Sequence, residues 1–104
     1  MASEPSHTWQ TKEIKELCEA VASLRTPEEV SRFLRDLCTR SELEAMAHRW
    51  QVAQLLEDGL PYLEISRRTH ASTTTVTRVA HWLRYGEDGY RLVLDRKKRR
   101  KATA

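Results

Sequence analysis

Apolar residues recur at helical spacing through most of the chain. Ile14, Leu17, Cys18 and Val21 fall at i, i+3, i+4 and i+7, which places them on one face of a first helix. Thr26-Pro27-Glu28-Glu29 then reads as a helix start. Thr26 can accept from the unpaired first-turn amides, Pro27 has no N–H to leave unsatisfied, and Glu29 completes a capping box. The helix it opens puts Val30, Phe33, Leu34 and Leu37 on one stripe. Thr39-Arg40-Ser41-Glu42 is a second capping box, opening a long helix that ends near Asp58-Gly59. Its apolar residues are Leu43, Met46, Ala47, Trp50, Val52, Ala53, Leu55 and Leu56, and they spread around more than one face. A helix apolar on several sides is normally surrounded by protein. Three other short helices can hardly enclose it within one small subunit, so the pattern predicts a dimer.

Gly59-Leu60-Pro61 breaks the chain. Pro61 suits the first turn of a short helix over about 61–68. Thr69-His70-Ala71 makes a turn, and Ser72 or Thr73 caps a further helix running to about Tyr85. Gly86-Glu87-Asp88-Gly89 is a loop, and Tyr90, Val93 and Leu94 give a last apolar stripe before a basic tail. The expected organisation is a polar, disordered N-terminus over 1–8, one helical domain over 9–95 and a tail over 96–104. No internal repeat is present.

The segment 60–85 has the form of a helix-turn-helix. Ser66 is small where a second helix must approach, and Ile65, Val76 and Val79 are spaced to bury the angle between the two helices. The second helix opens Ser72-Thr73-Thr74-Thr75-Val76-Thr77-Arg78. Threonine is a poor helix former, so this run is not selected for helix stability. At a DNA surface its hydroxyl contacts phosphate or base edges and its methyl packs on the thymine methyl. The first turn also presents free amides to phosphate. Arg67 and Arg68 are placed to flank it. The candidate DNA-binding set is therefore Arg67, Arg68, Ser72, Thr73, Thr74, Thr75, Thr77 and Arg78. One position stands against the motif: the turn commonly holds glycine where this chain has His70, which must then accept positive φ, a conformation histidine tolerates better than most residues.

Charge sharpens this reading. The 104 residues carry a net +3, but residues 1–59 hold 7 basic against 11 acidic side chains, and residues 60–104 hold 11 against 4. A balance of +7 in the second half points it toward a polyanion, since each neutralised phosphate releases condensed counterions. Arg96-Lys97-Lys98-Arg99-Arg100-Lys101 supplies most of the asymmetry, as a phosphate- or RNA-binding run without sequence choice or as a solubilising extension.

Other chemistry is set aside. Cys18 and Cys38 form no paired framework and lie 20 residues apart, His7, His48, His70 and His81 show no ligand spacing with them, and buried structural thiols are expected rather than a metal site. Trp9 and Trp50 are assigned to packing. No glycine-rich phosphate loop or nucleophile motif appears, so neither an enzyme nor a cofactor is expected. The opening MASEPSHTWQ has no apolar core and no run approaches the ~20 residues that cross a bilayer, so a soluble cytoplasmic protein without a membrane partner is expected.

The residues also carry a resemblance. Leu37-Cys38-Thr39-Arg40-Ser41-Glu42-Leu43-Glu44-Ala45-Met46-Ala47-His48-Arg49, followed by Leu55-Leu56 and Gly59, resembles the central helix of the tryptophan-repressor family. Thr74-Thr75-Val76-Thr77-Arg78 resembles the start of its recognition helix, and the likeness is nearest the YerC/YecD branch. It implies an all-α intertwined homodimer of about six helices per subunit, a transcriptional regulator, with repression the expected sign, that binds double-stranded DNA at two half-sites about one helical turn apart. The rival classes are a dimeric protein-interaction module and a non-specific nucleic-acid binder working through the basic tail. In that family free tryptophan binds between the central and recognition helices. Arg49 and Arg78 match two positions of the effector pocket and Thr39 a residue at its edge. Val79 stands where the family has glycine and Trp82 where it has serine. These two departures point to a blocked pocket and no control by L-tryptophan, either because the Trp82 indole fills the space of a free ligand or because Trp82 packs in the core and the pocket never forms.

Overall fold

The structure, a computed structural model, describes residues 9–103. The start expected to be disordered, residues 1–8, lies outside the described residues. Six helices follow in order: α1 Lys12–Ala22, α2 Pro27–Leu37, α3 Arg40–Glu57, α4 Tyr62–Thr69, α5 Thr73–Tyr85 and α6 Gly89–Thr103. No strand occurs among the described residues, and the all-α expectation holds. The stretch read as one domain over 9–95 contains two compact units in the single chain, one ending at Arg40 and one beginning at Ser41.

The first unit holds α1 and α2. Thr11 caps α1 by accepting from the Ile14 amide at 3.2 Å, and the Ser23 hydroxyl closes it by donating to the Ala20 carbonyl at 2.7 Å. Thr26 caps α2 by accepting from the Glu29 amide at 3.1 Å. Glu29 reaches back one residue further than a standard capping box and accepts from the Arg25 amide at 2.8 Å. Both helices form as their sequence signals require, yet neither buries a single residue: Leu17, Val21 and Leu37 remain 40–51% exposed. Ile14, Val30, Phe33 and Leu34 are half-buried, so the two stripes gain only part of the transfer free energy of burial.

The second unit has the core. Val52 and Ala53 of α3, Ile65 of α4, and Val76 and Val79 of α5 are all at most 2% exposed and form one cluster. Trp50, Leu55, Leu56, Leu60, Ala71 and Tyr90 pack around it, and the Trp50 and Tyr90 rings stack at 6.4 Å between centroids. The end of α3 is set by Gly59 at φ +85°, with the Leu60 amide on the Leu55 carbonyl and the Gly59 amide on the Leu56 carbonyl. These are the two bonds of a Schellman motif, which needs the left-handed residue that glycine supplies.

α6 departs from the sequence reading. The run 96–101, expected as a tail beyond the last element, is helical through Thr103. Lysine and arginine are good helix formers once a helix has been nucleated, and Tyr90 and the buried Leu94 fasten the first two turns. Arg91 and Lys98 of α6 both ion-pair with Glu57 at the end of α3. The Lys98 hydrogen bond, with the charges of Arg91 and Lys98, holds the Glu57 carboxyl below the usual carboxylate range against the opposing effect of desolvation. A carboxyl lowered in the folded state contributes stability that is complete above its unfolded value of about 4.3 and fades as the pH falls through the folded one. Glu57→Gln is therefore expected to cost roughly 0.5–1 kcal/mol at pH 7, the scale of a solvent-screened pair. In urea titrations, wild type and variant should converge as the medium is acidified past the folded value.

Candidate nucleic-acid interface

α4 and α5 pack on each other through Ile65, Val76 and Val79, the three residues spaced for that purpose in the sequence. Hydroxyls close the turn. Ser66 donates to the Ala71 carbonyl at 2.6 Å, which requires a small residue there. Thr69, 4% exposed, donates to the Ile65 carbonyl at 2.8 Å and accepts from the Ala71 amide at 3.2 Å. No buried side-chain polar atom among the described residues is left without a partner. Thr69 was assigned only to the turn by its sequence position; its role emerges from burial. His70 adopts the left-handed conformation, φ 61° and ψ 11°, that the missing glycine demands. A side chain there is strained, so His70→Gly is expected to raise stability by about 0.5–1 kcal/mol, net of the extra unfolded-state entropy of glycine. Thermal denaturation of the variant checks this.

The N-terminus of α5 sorts its hydroxyls into two groups. Ser72 is the N-cap: its Oγ accepts from the Thr75 amide at 3.1 Å and lies 3.1 Å from the Thr75 hydroxyl, and Thr75 is half-buried. Those two residues hold the helix start together. Thr73 and Thr74 are exposed, with hydroxyls that bond nothing else among the described residues. Thr77 is exposed and donates to the Thr73 carbonyl at 2.9 Å, which leaves its hydroxyl able to accept. The result is a capped helix end that presents two threonine hydroxyls and a dipole positive toward solvent.

Arg67 and Arg68 lie in the last turn of α4, exposed, and both are gripped by Glu64 of its first turn. Arg67 donates through Nε at 3.2 Å and through one terminal nitrogen, and Arg68 donates through Nε at 2.7 Å. These bonds, Arg68's first and Arg67's second, hold the Glu64 carboxyl below the usual carboxylate range. Glu64 did not figure among the candidate residues, although its i, i+3 and i, i+4 spacing to the two arginines was visible in the sequence.

The pocket residues separate. Arg49, Arg78, Val79 and Trp82 line one cleft of about 680 Å³, together with Ala45, His48, His70, Ala71, Ser72, Thr75 and Tyr90. Thr39 belongs to the other unit. Val79 is buried, as expected of a side chain that narrows the cleft. Trp82 is 57% exposed, and its ring meets that of the adjacent His81 edge-on at 5.1 Å. Trp82 thus stands on the wall of the cleft, with much of its surface in solvent and its ring against that of His81. Among the described residues no group of His, Cys, Asp and Glu is arranged to hold a metal ion, and no helix is long and apolar enough to cross a membrane.

A short helix, a turn through a left-handed residue, and a second helix with a capped, hydroxyl-rich and exposed start define a helix-turn-helix protein of the all-α class. The family described as Trp repressor protein matches residues 12–98, and the chain belongs to it. Protein YerC of Bacillus subtilis (strain 168) is 44% identical over 87 residues, 84% of each chain. Among solved structures, a TrpR-like protein from Eubacterium eligens ATCC 27750 superposes with a TM-score of 0.82 at 36% identity, covering 88% of this chain and 95% of that one. A putative Trp repressor from Staphylococcus aureus gives 0.83 at 34% identity, covering 92% and 96%.

Proposed function

We propose that the protein is a homodimeric transcriptional regulator, a repressor by family analogy, that binds double-stranded DNA at chosen sites through residues 60–85 and carries out no catalysis. The observation that carries this reading is the exposed start of α5, where Thr73 and Thr74 offer unbonded hydroxyls beside first-turn amides. Arg67 and Arg68 would meet phosphates, and Arg78 a phosphate or the cleft. Ser72 and Thr75 serve the interface by holding the helix start.

The dimer rests on what a lone chain leaves in water. α1 and α2 have no fully buried residue, with Leu17, Val21 and Leu37 exposed, and on α6 Leu92 and Val93 are about half exposed. Large apolar side chains left at the surface are what a partner subunit would cover, and small chains often need a partner to complete a core. Sedimentation at micromolar concentration should give about twice the 12.1 kDa chain mass.

Free L-tryptophan is not the expected effector. The cleft lining carries Arg49, Arg78, His48 and His70 and no carboxylate, so a ligand's ammonium group would meet only like or neutral charge. Operator binding with and without L-tryptophan should agree. A tenfold gain in affinity, ~1.4 kcal/mol of coupling, would contradict this.

Selection of bound duplexes from a genomic library tests the reading as a whole. Enrichment of a two-fold-symmetric site supports it. Binding without enrichment favours a non-specific binder acting through the basic half of α6, and no binding favours a protein-interaction module. The cytoplasm, where DNA is accessible, is the location this function requires.

A further inference from the structure

The grip of Glu64 on Arg67 and Arg68 has a consequence for how the interface separates its sites from other DNA. It rests on the DNA-binding reading above. We infer that Glu64 is a positioning residue that lowers affinity for random duplex DNA by half-neutralising the two arginines, and so sharpens discrimination for the chosen site.

The geometry supports this in three ways. All three residues belong to one eight-residue helix, so the cluster is preformed and needs no partner to assemble it. Glu64 is 28% exposed as a side chain, against 72% for Arg67 and 55% for Arg68. The carboxylate is thus the inner member and the guanidiniums the outer ones, where an approaching phosphate would arrive first. The bonds already made also leave a defined remainder. Arg67 uses Nε and one terminal nitrogen on Glu64, whereas Arg68 uses only Nε, so both terminal nitrogens of Arg68 remain for a phosphate.

Charge then counts differently on the two kinds of DNA. Binding to random duplex is set almost wholly by the number of phosphates neutralised, and each contributes about 0.9 to the slope of log affinity against log salt. A carboxylate within hydrogen-bond distance of two guanidiniums reduces their combined charge from two to one. At a chosen site, where α5 has seated and phosphates stand in fixed places, the orientation that Glu64 imposes on the arginine forks compensates for the lost charge. Random DNA offers no such alignment and feels only the loss.

Glu64→Gln keeps the size and an acceptor oxygen and removes the charge. Fluorescence anisotropy on a random-sequence duplex and on a duplex enriched from the genomic library, each across a salt series, reads the effect. For random duplex the variant's slope should steepen by about one for each reading head engaged, with affinity at 0.1 M salt rising roughly five- to tenfold per head. The enriched duplex should gain less, so the ratio between the two falls. Adding Arg68→Gln to the variant should return the random-duplex slope to the wild-type value, a reversal that a merely structural role for Glu64 would not produce. Circular dichroism and the melting temperature confirm that each variant is folded. If wild type binds duplex and the Glu64→Gln slope is unchanged, or its random-duplex affinity falls, the role of Glu64 is overturned while DNA binding stands. If wild type binds no duplex even at 50 mM salt, the DNA-binding reading fails and this inference with it.

Discussion

Ile65→Ala is expected to destabilise the second unit by about 2–5 kcal/mol and to abolish duplex binding at temperatures where the wild type still binds. Ile65 is fully buried, and it is the side chain of α4 that reaches the common cluster of Val52, Ala53, Val76 and Val79. Removing its outer carbons forfeits their transfer free energy and leaves a void that the four other cluster residues, on α3 and α5, cannot close without moving α4 relative to α5. Whole-domain stabilities run to about 5–15 kcal/mol, so the loss is a large share of the total. Leu63→Ala supplies the internal control. It lies two residues earlier in the same helix and is 76% exposed, so its change should stay within about 0.5 kcal/mol. Urea titrations of both variants, followed by fluorescence of the native tryptophans, separate the two outcomes. A small shift for Ile65→Ala would mean that α4 is held by something other than this cluster.

The same contrast between Ile65 and Leu63 shows what could be read from the sequence. Helix order and most boundaries followed from periodicity and punctuation, with Thr26-Pro27 at the start of α2, Gly59 at the end of α3 and Ser72 before α5, while the number of six came from the family resemblance. The helix-turn-helix followed too, since three apolar residues at the right separation can meet only if the chain turns between them. His70 was legible as a strained position because the motif specifies backbone conformation more tightly than residue type.

What escaped the sequence depends on distances between elements or on competition for a bond. Helical continuation of the basic run to Thr103 required knowing that Glu57, at the far end of α3, meets Lys98. The placement of Trp82 depended on which way one side chain of α5 turns; its spacing of four from Arg78 put both residues on the cleft, but spacing says nothing about whether an indole enters it. The exposure of Leu17, Val21 and Leu37 on α1 and α2 was likewise beyond reach, because periodicity shows which residues share a face and not what covers that face.

The hydroxyls of α5 give the second large effect. Thr74→Ala is expected to lower discrimination between the chosen duplex and one with a changed base pair by about 1–3 kcal/mol, or roughly 5- to 150-fold, with little change in melting temperature. Thr74 is exposed and its hydroxyl is engaged by nothing else among the described residues, so the folded chain loses no bond when it is removed. Alanine is also the better helix former, which should leave the helix slightly more stable. Thr75→Ala should behave in the opposite manner. Its hydroxyl is held by Ser72 and its side chain is half-buried beneath the helix start, so the variant should lose stability by about 0.5–1.5 kcal/mol, the net worth of a hydrogen bond. It should weaken binding to all duplexes alike, since the alanine still leaves Thr73 and Thr74 in place but loosens the turn that carries them. Competition binding against a panel of single-base-pair variants distinguishes the two patterns. Equal loss of discrimination from Thr74→Ala and Thr75→Ala would show that the start of α5 acts as one rigid body whose seating, rather than any single hydroxyl, selects the site. Loss from Thr75→Ala alone would move base contact to the inner face of the helix and overturn the assignment of Thr74.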